Sequence, residues 1–123
     1  MILGIGVDIV HLPRIAALIS RRGSDQLAKR ILSPTEYTEF QTKYSVENSN
    51  QLRFLGSRWC IKEAVYKALY PIHKLEWKQV TVFKMAGKPY LSIINGNVYG
   101  IRKAHVSLSH DGHYAIAQVI LES

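Results

Sequence analysis

A single cysteine, Cys60, occurs in the chain of 123 residues, so no disulfide can form within it, and a reducing compartment is the simpler expectation. No apolar run comes near the ~20 residues of a membrane-spanning helix. The apolar start MILGIGVDIV has no basic stretch ahead of it and is interrupted by Asp8. It therefore reads as a strand rather than a signal peptide, and it has none of the Arg- and Ser-rich character of a transit peptide. Zinc-type Cys/His spacing, a G-x-S-x-G elbow and a complete G-x-x-x-x-G-K-[ST] loop are all missing. Acidic residues are scarce: 9 Asp and Glu face 16 Lys and Arg, a formal charge of +7. Such an excess favours an anionic partner, and nucleic acid, a phosphorylated cofactor or an acidic protein would each satisfy it.

The composition is 47% hydrophobic and 20% charged, enough for a real core, and the length is that of one domain spanning residues 1–123. Residues 2–10 are β-branched and apolar and read as a buried strand, with Gly4 and Gly6 permitting close backbone approach. Ile15, Leu18 and Ile19 fall at helical spacing over 12–21, with Pro13 in the first turn. A short helix follows from Ser24 to about Leu32. Ser33-Pro34-Thr35-Glu36 is a capping-box start for a helix to about residue 44. Residues 51–70 form the longest predicted helix, with Leu52, Leu55, Trp59 and Tyr66 as its apolar stripe and Pro71 ending it. The period then changes. Strands are expected over 77–84, 89–94, 104–110 and 113–121, with turns at 85–88 and at Asp111-Gly112 and a short helix or loop over 95–102. An N-terminal strand, several helices and a β-rich C-terminal half make an α+β fold.

Four segments could carry chemistry. Asp8 lies in an otherwise apolar strand, where an unpaired carboxylate is costly to bury, so a metal, an Arg or a cap should meet it at the strand end. Glu63 and Lys67 stand four apart on one helix face, which fits either a plain ion pair or a metal–phosphate site. Lys62, about 100° round the helix, adds a second ammonium to that arc. Ser109, His110 and Asp111 are adjacent on a strand, where side chains alternate between faces. They cannot easily form a hydrolytic relay, and Ser109 and His110 read as phosphate donors or a structural hairpin. Gly87-Lys88-Pro89 is an ordinary turn or half of a phosphate loop. Cys60 reads as packing.

These segments together resemble the holo-acyl-carrier-protein synthase family of 4′-phosphopantetheinyl transferases. The likeness runs through GIGVDIVHLPRI, RILSPTE, RFLGSRWCIKEAVYKAL, GKPYL and HVSLSHDGHYAIAQVILE, in family order over nearly the whole chain. It implies the α+β fold of those enzymes, a fatty-acid-biosynthetic role, and active sites between the subunits of a homotrimer. Asp8 and Glu63 match the family's two metal-binding carboxylates. Lys62, Lys67, Ser109 and His110 match positions around the coenzyme A phosphates and pantetheine, and Gly87, Lys88 and Pro89 a turn near the adenine. Arg14, Leu18 and Arg21 lie on the helix that docks the acidic carrier protein.

The implied reaction is attack of a carrier serine on the β-phosphorus of coenzyme A, with Mg²⁺ on Asp8 and Glu63 and with 3′,5′-ADP leaving. Asp8, Glu63 and Lys67 form its catalytic set. The proton acceptor would be a metal-bound water or Glu63, with Glu36 a more distant candidate whose capping role is simpler. The chain departs from the family where a Gly-Thr-Gly loop usually follows the long helix: here it reads Tyr70-Pro71-Ile72-His73-Lys74. A cytoplasmic enzyme is expected, with the mitochondrial matrix as the alternative and with no nucleic-acid or membrane partner. The rival readings are a catalytically silent carrier-binding subunit and a basic nucleic-acid-binding module; scattered basic residues and the lack of any binding motif weigh against the latter.

Overall fold

Strand β1, Ile2–His11, opens the chain and pairs antiparallel with the last strand, β5, Tyr114–Glu122. The structure, a computed structural model, describes all of residues 1–123. Between these strands run α1 (Leu12–Arg22), α2 (Ser24–Ile31), α3 (Pro34–Lys43) and α4 (Ser49–Leu69). A 3-10 turn at Trp77–Gln79, β2 (Val80–Met85), β3 (Lys88–Ile93) and β4 (Lys103–Asp111) follow. The large sheet has the order β1-β5-β4, and β2-β3 is a separate hairpin. This is the α+β arrangement the sequence implied. The expected strand from residue 77 starts three residues later, after the 3-10 turn, and residues 94–100 form successive turns, the loop alternative of the helix or loop expected there.

Small residues bring β1 and α4 into contact. A Cβ on Gly4 or Gly6 would fall 1.8 or 1.7 Å from the carbonyl oxygens of Ala68 and Ala64, so only glycine allows this approach. Cys60, Ala64 and Ala68 form the matching face of the helix. The expected stripe of Leu52, Leu55, Trp59 and Tyr66 is therefore a correction. Leu55 is buried, but the other three are only half-buried. The helix lies between the sheet and the α2–α3–β2 layer, so Phe54, Ile61, Val65 and Leu69 are buried as well. A helix covered on several sides does not show one clean stripe.

The large sheet has two unlike faces. Gly4, Gly6, Asp8 and Val10, with Ala115, Ala117, Val119 and Leu121, alternate toward α4. Ile5, Val7, Ile9, Tyr114 and Ile116 point the other way and are between 43% and 62% exposed.

The predicted capping box forms: Ser33 N donates to Glu36 Oε1 at 2.9 Å, and Glu36 N donates to Ser33 Oγ at 3.4 Å. Glu36 does more than cap. Its carboxylate is 1% exposed and also accepts from Val82 N at 2.9 Å and from Lys62 Nζ at 2.5 Å. Lys62 completes the network by donating to the carbonyls of Ile31 at 2.7 Å and Trp77 at 3.1 Å. One buried ion pair thus joins α4, the α2–α3 junction and β2.

Candidate active site

Asp8 does not end its strand, which runs on to His11. Its side chain, 13% exposed, finds its cation on the neighbouring helix. Lys67 Nζ lies 2.9 Å from Asp8 Oδ1 and donates to Val7 O at 3.2 Å. The ordinary i, i+4 pair between Glu63 and Lys67 therefore does not form; Asp8 takes the lysine instead. Glu63 is left half-buried without an ion pair. Burial pushes its carboxyl above the usual range, and the negative charge of Asp8 adds to this, while Lys67 and Arg14 act the other way. Cys60 Sγ donates to Asp8 O at 3.2 Å, and burial pushes its thiol up to about 12. It stays a protonated packing group at neutral pH, as expected.

Two neighbouring carboxylates with one paired lysine make a hard, oxygen-only donor set. No cluster of three or more His, Cys, Asp or Glu side chains that could hold a metal occurs in the chain. That combination fits Mg²⁺, which takes one or two carboxylates and fills its remaining positions with phosphate oxygens and water. It does not fit a self-sufficient zinc cage.

Lys62 is a second correction. Its side chain is 1% exposed and its three donors are taken by Glu36, Ile31 and Trp77. It faces away from Asp8 and has no free donor for a phosphate. The 100° offset from Glu63 carries it off the surface arc and into the core.

The residues about α4 also build a cleft of about 750 Å³. Arg53 and Arg58 on α4, Lys84 on β2 and His110 on β4 supply its positive charge. The Arg58 side chain is 6% exposed. It donates to Ser57 Oγ at 3.2 Å, lies 3.6 Å from Glu39 Oε1, and rests over the Phe54 ring at 4.1 Å. Its Nε has no partner, an uncommon state for a buried donor. Sequence reasoning did not single out Arg53, Arg58 or Lys84. The signal available was two arginines five apart at the start of the long helix, and nothing local distinguished them from a solvated face.

The remaining predicted positions are divided by the fold. His110 lies on the α4 side of the sheet, in the cleft, while Ser109 lies on the opposite side with its neighbours Ile116 and Ile9. Alternation along the strand separates the two, as it had to. Gly87, Lys88 and Pro89 sit at the β2–β3 hairpin, where Ala86 and Gly87 take φ of 52° and 79°. On α1, Arg14 and Arg21 are exposed and Leu18 is half-buried. Ser57 and Phe54 fall on one flank of α4 and Glu63 and Tyr66 on the other, with the β1 contact between them. Within the chain, the cationic cleft and the carboxylates consequently open on different flanks of the helix.

A model of the 4′-phosphopantetheinyl transferase superfamily matches residues 4–119. A holo-[acyl-carrier-protein] synthase of Sodalis glossinidius is 41% identical, the alignment covering 98% of this chain and 98% of that one. One from Cronobacter sakazakii is 40% identical over 99% and 98%. Among solved structures, the holo-[acyl-carrier-protein] synthase of Neisseria meningitidis superposes with a TM-score of 0.84 at 30% identity, covering all of both chains. That of Bacillus anthracis, solved in complex with CoA (3′,5′-ADP), gives 0.80 at 30% identity over 100% and 98%.

Proposed function

The chain belongs to the 4′-phosphopantetheinyl transferase superfamily and is a transferase of the holo-[acyl-carrier-protein] synthase type; we propose that it moves the 4′-phosphopantetheine of coenzyme A onto a serine of an apo acyl carrier protein, releasing 3′,5′-ADP. The observation that carries this reading is the meeting of Asp8 and Lys67 at 2.9 Å beside an unpaired Glu63, on a chain that also builds a cleft of arginine, lysine and histidine.

Each group has a task that its position permits. Lys67 is half exposed, so its ammonium can hold Asp8 and still neutralise a phosphate oxygen. Mg²⁺, held by Asp8 and Glu63, would supply charge neutralisation at the pyrophosphate. Glu63 is the unpaired carboxylate at the centre and can take the proton of the attacking hydroxyl. Arg53, Arg58, Lys84 and His110 suit the phosphates of the adenosine end. Positioning and charge neutralisation supply most of the rate enhancement in such transfers.

The test is product stoichiometry. 3′,5′-ADP should appear mole for mole with modified carrier, and only when apo carrier is present. Release without carrier would make the chain a hydrolase; no release with any carrier would support a silent binding subunit.

The outer face of the large sheet supports a homotrimer. Ile5, Val7, Ile9 and Ile116 form an exposed apolar surface, and Ser109 lies on it. Packing that face against a second protomer would bring one cleft toward another protomer's carboxylates, which a single protomer cannot do. Co-refolding equal amounts of Asp8→Asn and Arg58→Ala protomers, each inactive alone, should then restore about a quarter of the sites, because only mixed interfaces combine two intact halves. An inactive mixture would place both halves of the site in one protomer.

The carrier would dock on α1, whose Arg14, Arg21 and Arg22 carry positive charge with Leu18 among them. Arg14→Ala is expected to raise KM for the carrier by about three- to tenfold and to leave KM for coenzyme A nearly unchanged. Equal effects on both constants would move Arg14 from docking to the coenzyme A site. No helix is long and apolar enough to cross a membrane.

A further inference from the structure

The end of the molecule opposite the cationic cleft is assembled from parts far apart in the chain. Gly4 packs on Ala68, which sets the start of β1 beside the close of α4 and the Tyr70–Lys74 segment that follows it. A Cβ on Gly100 would lie 3.9 Å from Leu3 Cδ1, and Arg102 N donates to Glu122 O at 2.8 Å, so the turns over 94–100 reach the same place. The His73 and Tyr99 rings, 4.6 Å apart, join the two loops, and Gln79 Nε2 donates to the Tyr99 hydroxyl oxygen at 3.0 Å. About 25 Å of helix separates this end from Arg53 in the cleft.

At this end Ile72 is 82% and Val98 72% exposed, and Tyr70 and Ile94 are more than half exposed. Single exposed apolar side chains are ordinary; four on two adjoining loops are not. The loops that carry them are held in place. His73 N donates to Leu69 O at 3.1 Å, Val98 N to Asn95 O at 2.9 Å and Ile101 N to Gly96 O at 2.9 Å. Lys74, Arg102 and Lys103 are exposed beside them. Of the nearby acidic side chains, Glu122 is held by His105 at 2.7 Å, and Glu76 turns to a small cavity that it lines with Glu63 and Tyr66. Cations therefore remain in excess around the apolar tips. Such a combination matches a surface that is negative outside and apolar just beneath. We infer that this end docks peripherally on an anionic lipid surface, with Ile72, Val98, Ile94 and Tyr70 entering between headgroups and Lys74, Arg102 and Lys103 meeting their phosphates. A nucleic acid would use the cations and leave the apolar tips in water. The carrier-docking helix α1, which packs by the first turns of α4, and the cleft both stay at the far end, open to a soluble partner. The family likeness implied no membrane partner; Tyr70–Lys74 is the segment in which this chain departs from that family's Gly-Thr-Gly loop.

The experiment is co-sedimentation of the full chain with vesicles of phosphatidylcholine alone and of phosphatidylcholine with about one-third phosphatidylglycerol. The parent should partition onto the anionic vesicles and stay in solution with the neutral ones. Ile72→Asp/Val98→Asp should weaken that partition by about tenfold or more, and Lys103→Gln by about fivefold. Arg14→Ala/Arg21→Ala, which removes as much charge from the opposite end, should leave it unchanged. Ile72→Ser/Val98→Ser repeats the test with neutral side chains, and thermal melts confirm that each variant is folded. A parent chain that ignores anionic vesicles overturns the inference. So does equal weakening by the Arg14/Arg21 and Lys103 variants, which would mean adsorption by overall charge. Undiminished binding by both Ile72/Val98 variants overturns it too, as does a change in their oligomeric state by light scattering, which would make this end a contact between copies of the chain.

Discussion

Glu63→Gln is expected to lower kcat for phosphopantetheine transfer by about 10²- to 10³-fold while leaving the melting temperature unchanged or slightly raised. The two halves of this expectation have one cause. Glu63 is half-buried, has no cation of its own, and carries a charge that burial and Asp8 both oppose. Neutralising it removes a repulsion from the resting fold, so stability does not suffer. In the proposed reaction the same charge would be needed, to help hold Mg²⁺ and to receive the hydroxyl proton. Asp8→Asn should be equally inactive but should also loosen Lys67, whose ion pair it breaks. Steady-state rates at saturating coenzyme A, with thermal melts of the same samples, provide the check. A Glu63→Gln rate within about threefold of the parent would remove this carboxylate from the mechanism.

Lys62→Met has the opposite signature, with its main effect on stability. The substitution strands the Glu36 carboxylate at 1% exposure with no countercharge, although Ser33 N and Val82 N still donate to it. A loss of about 3–5 kcal/mol is expected from leaving one member of a buried pair alone. The double substitution Lys62→Met/Glu36→Gln should recover part of it, since a neutral amide needs no countercharge, although its single oxygen can accept from only one of Ser33 N and Val82 N, which bond different carboxylate oxygens. Urea unfolding midpoints of the three proteins measure this directly. If Lys62→Met instead kept full stability and raised KM for coenzyme A, the ammonium would belong to the phosphate site and the buried pair would be incidental.

The gap between Lys62 and Lys67 shows what the sequence could and could not reveal. Both lysines occur in one motif, and both matched positions near the coenzyme A phosphates. Helical spacing puts them about 140° apart, but which side of α4 faces the core depends on elements far away in the chain. The glycines of β1 pull the Cys60–Ala64–Ala68 face inward, and the Trp77 and Ile31 carbonyls fix Lys62 on the far side. Those contacts are tertiary and leave no local signature. Most element types were legible: the capping box at Ser33, Pro13 at a helix start and the change of period after Pro71 all have local causes. The carboxylate centre was legible too, because an aspartate inside an apolar strand demands a partner. Its partner proved to be Lys67 on α4 rather than a group at the strand end. Arg53, Arg58 and Lys84 were not legible, because a cleft made by α4, β2 and the β4–β5 turn exists only once the sheet has closed.

The central claim is tested most directly by the mass of an apo acyl carrier protein after incubation with this chain, coenzyme A and Mg²⁺, beside a sample containing chelator. The account predicts a gain of about 340 Da on the carrier, lost with chelator and lost with Glu63→Gln. Carriers of unchanged mass, from several sources and with the parent chain shown to bind coenzyme A, would contradict it.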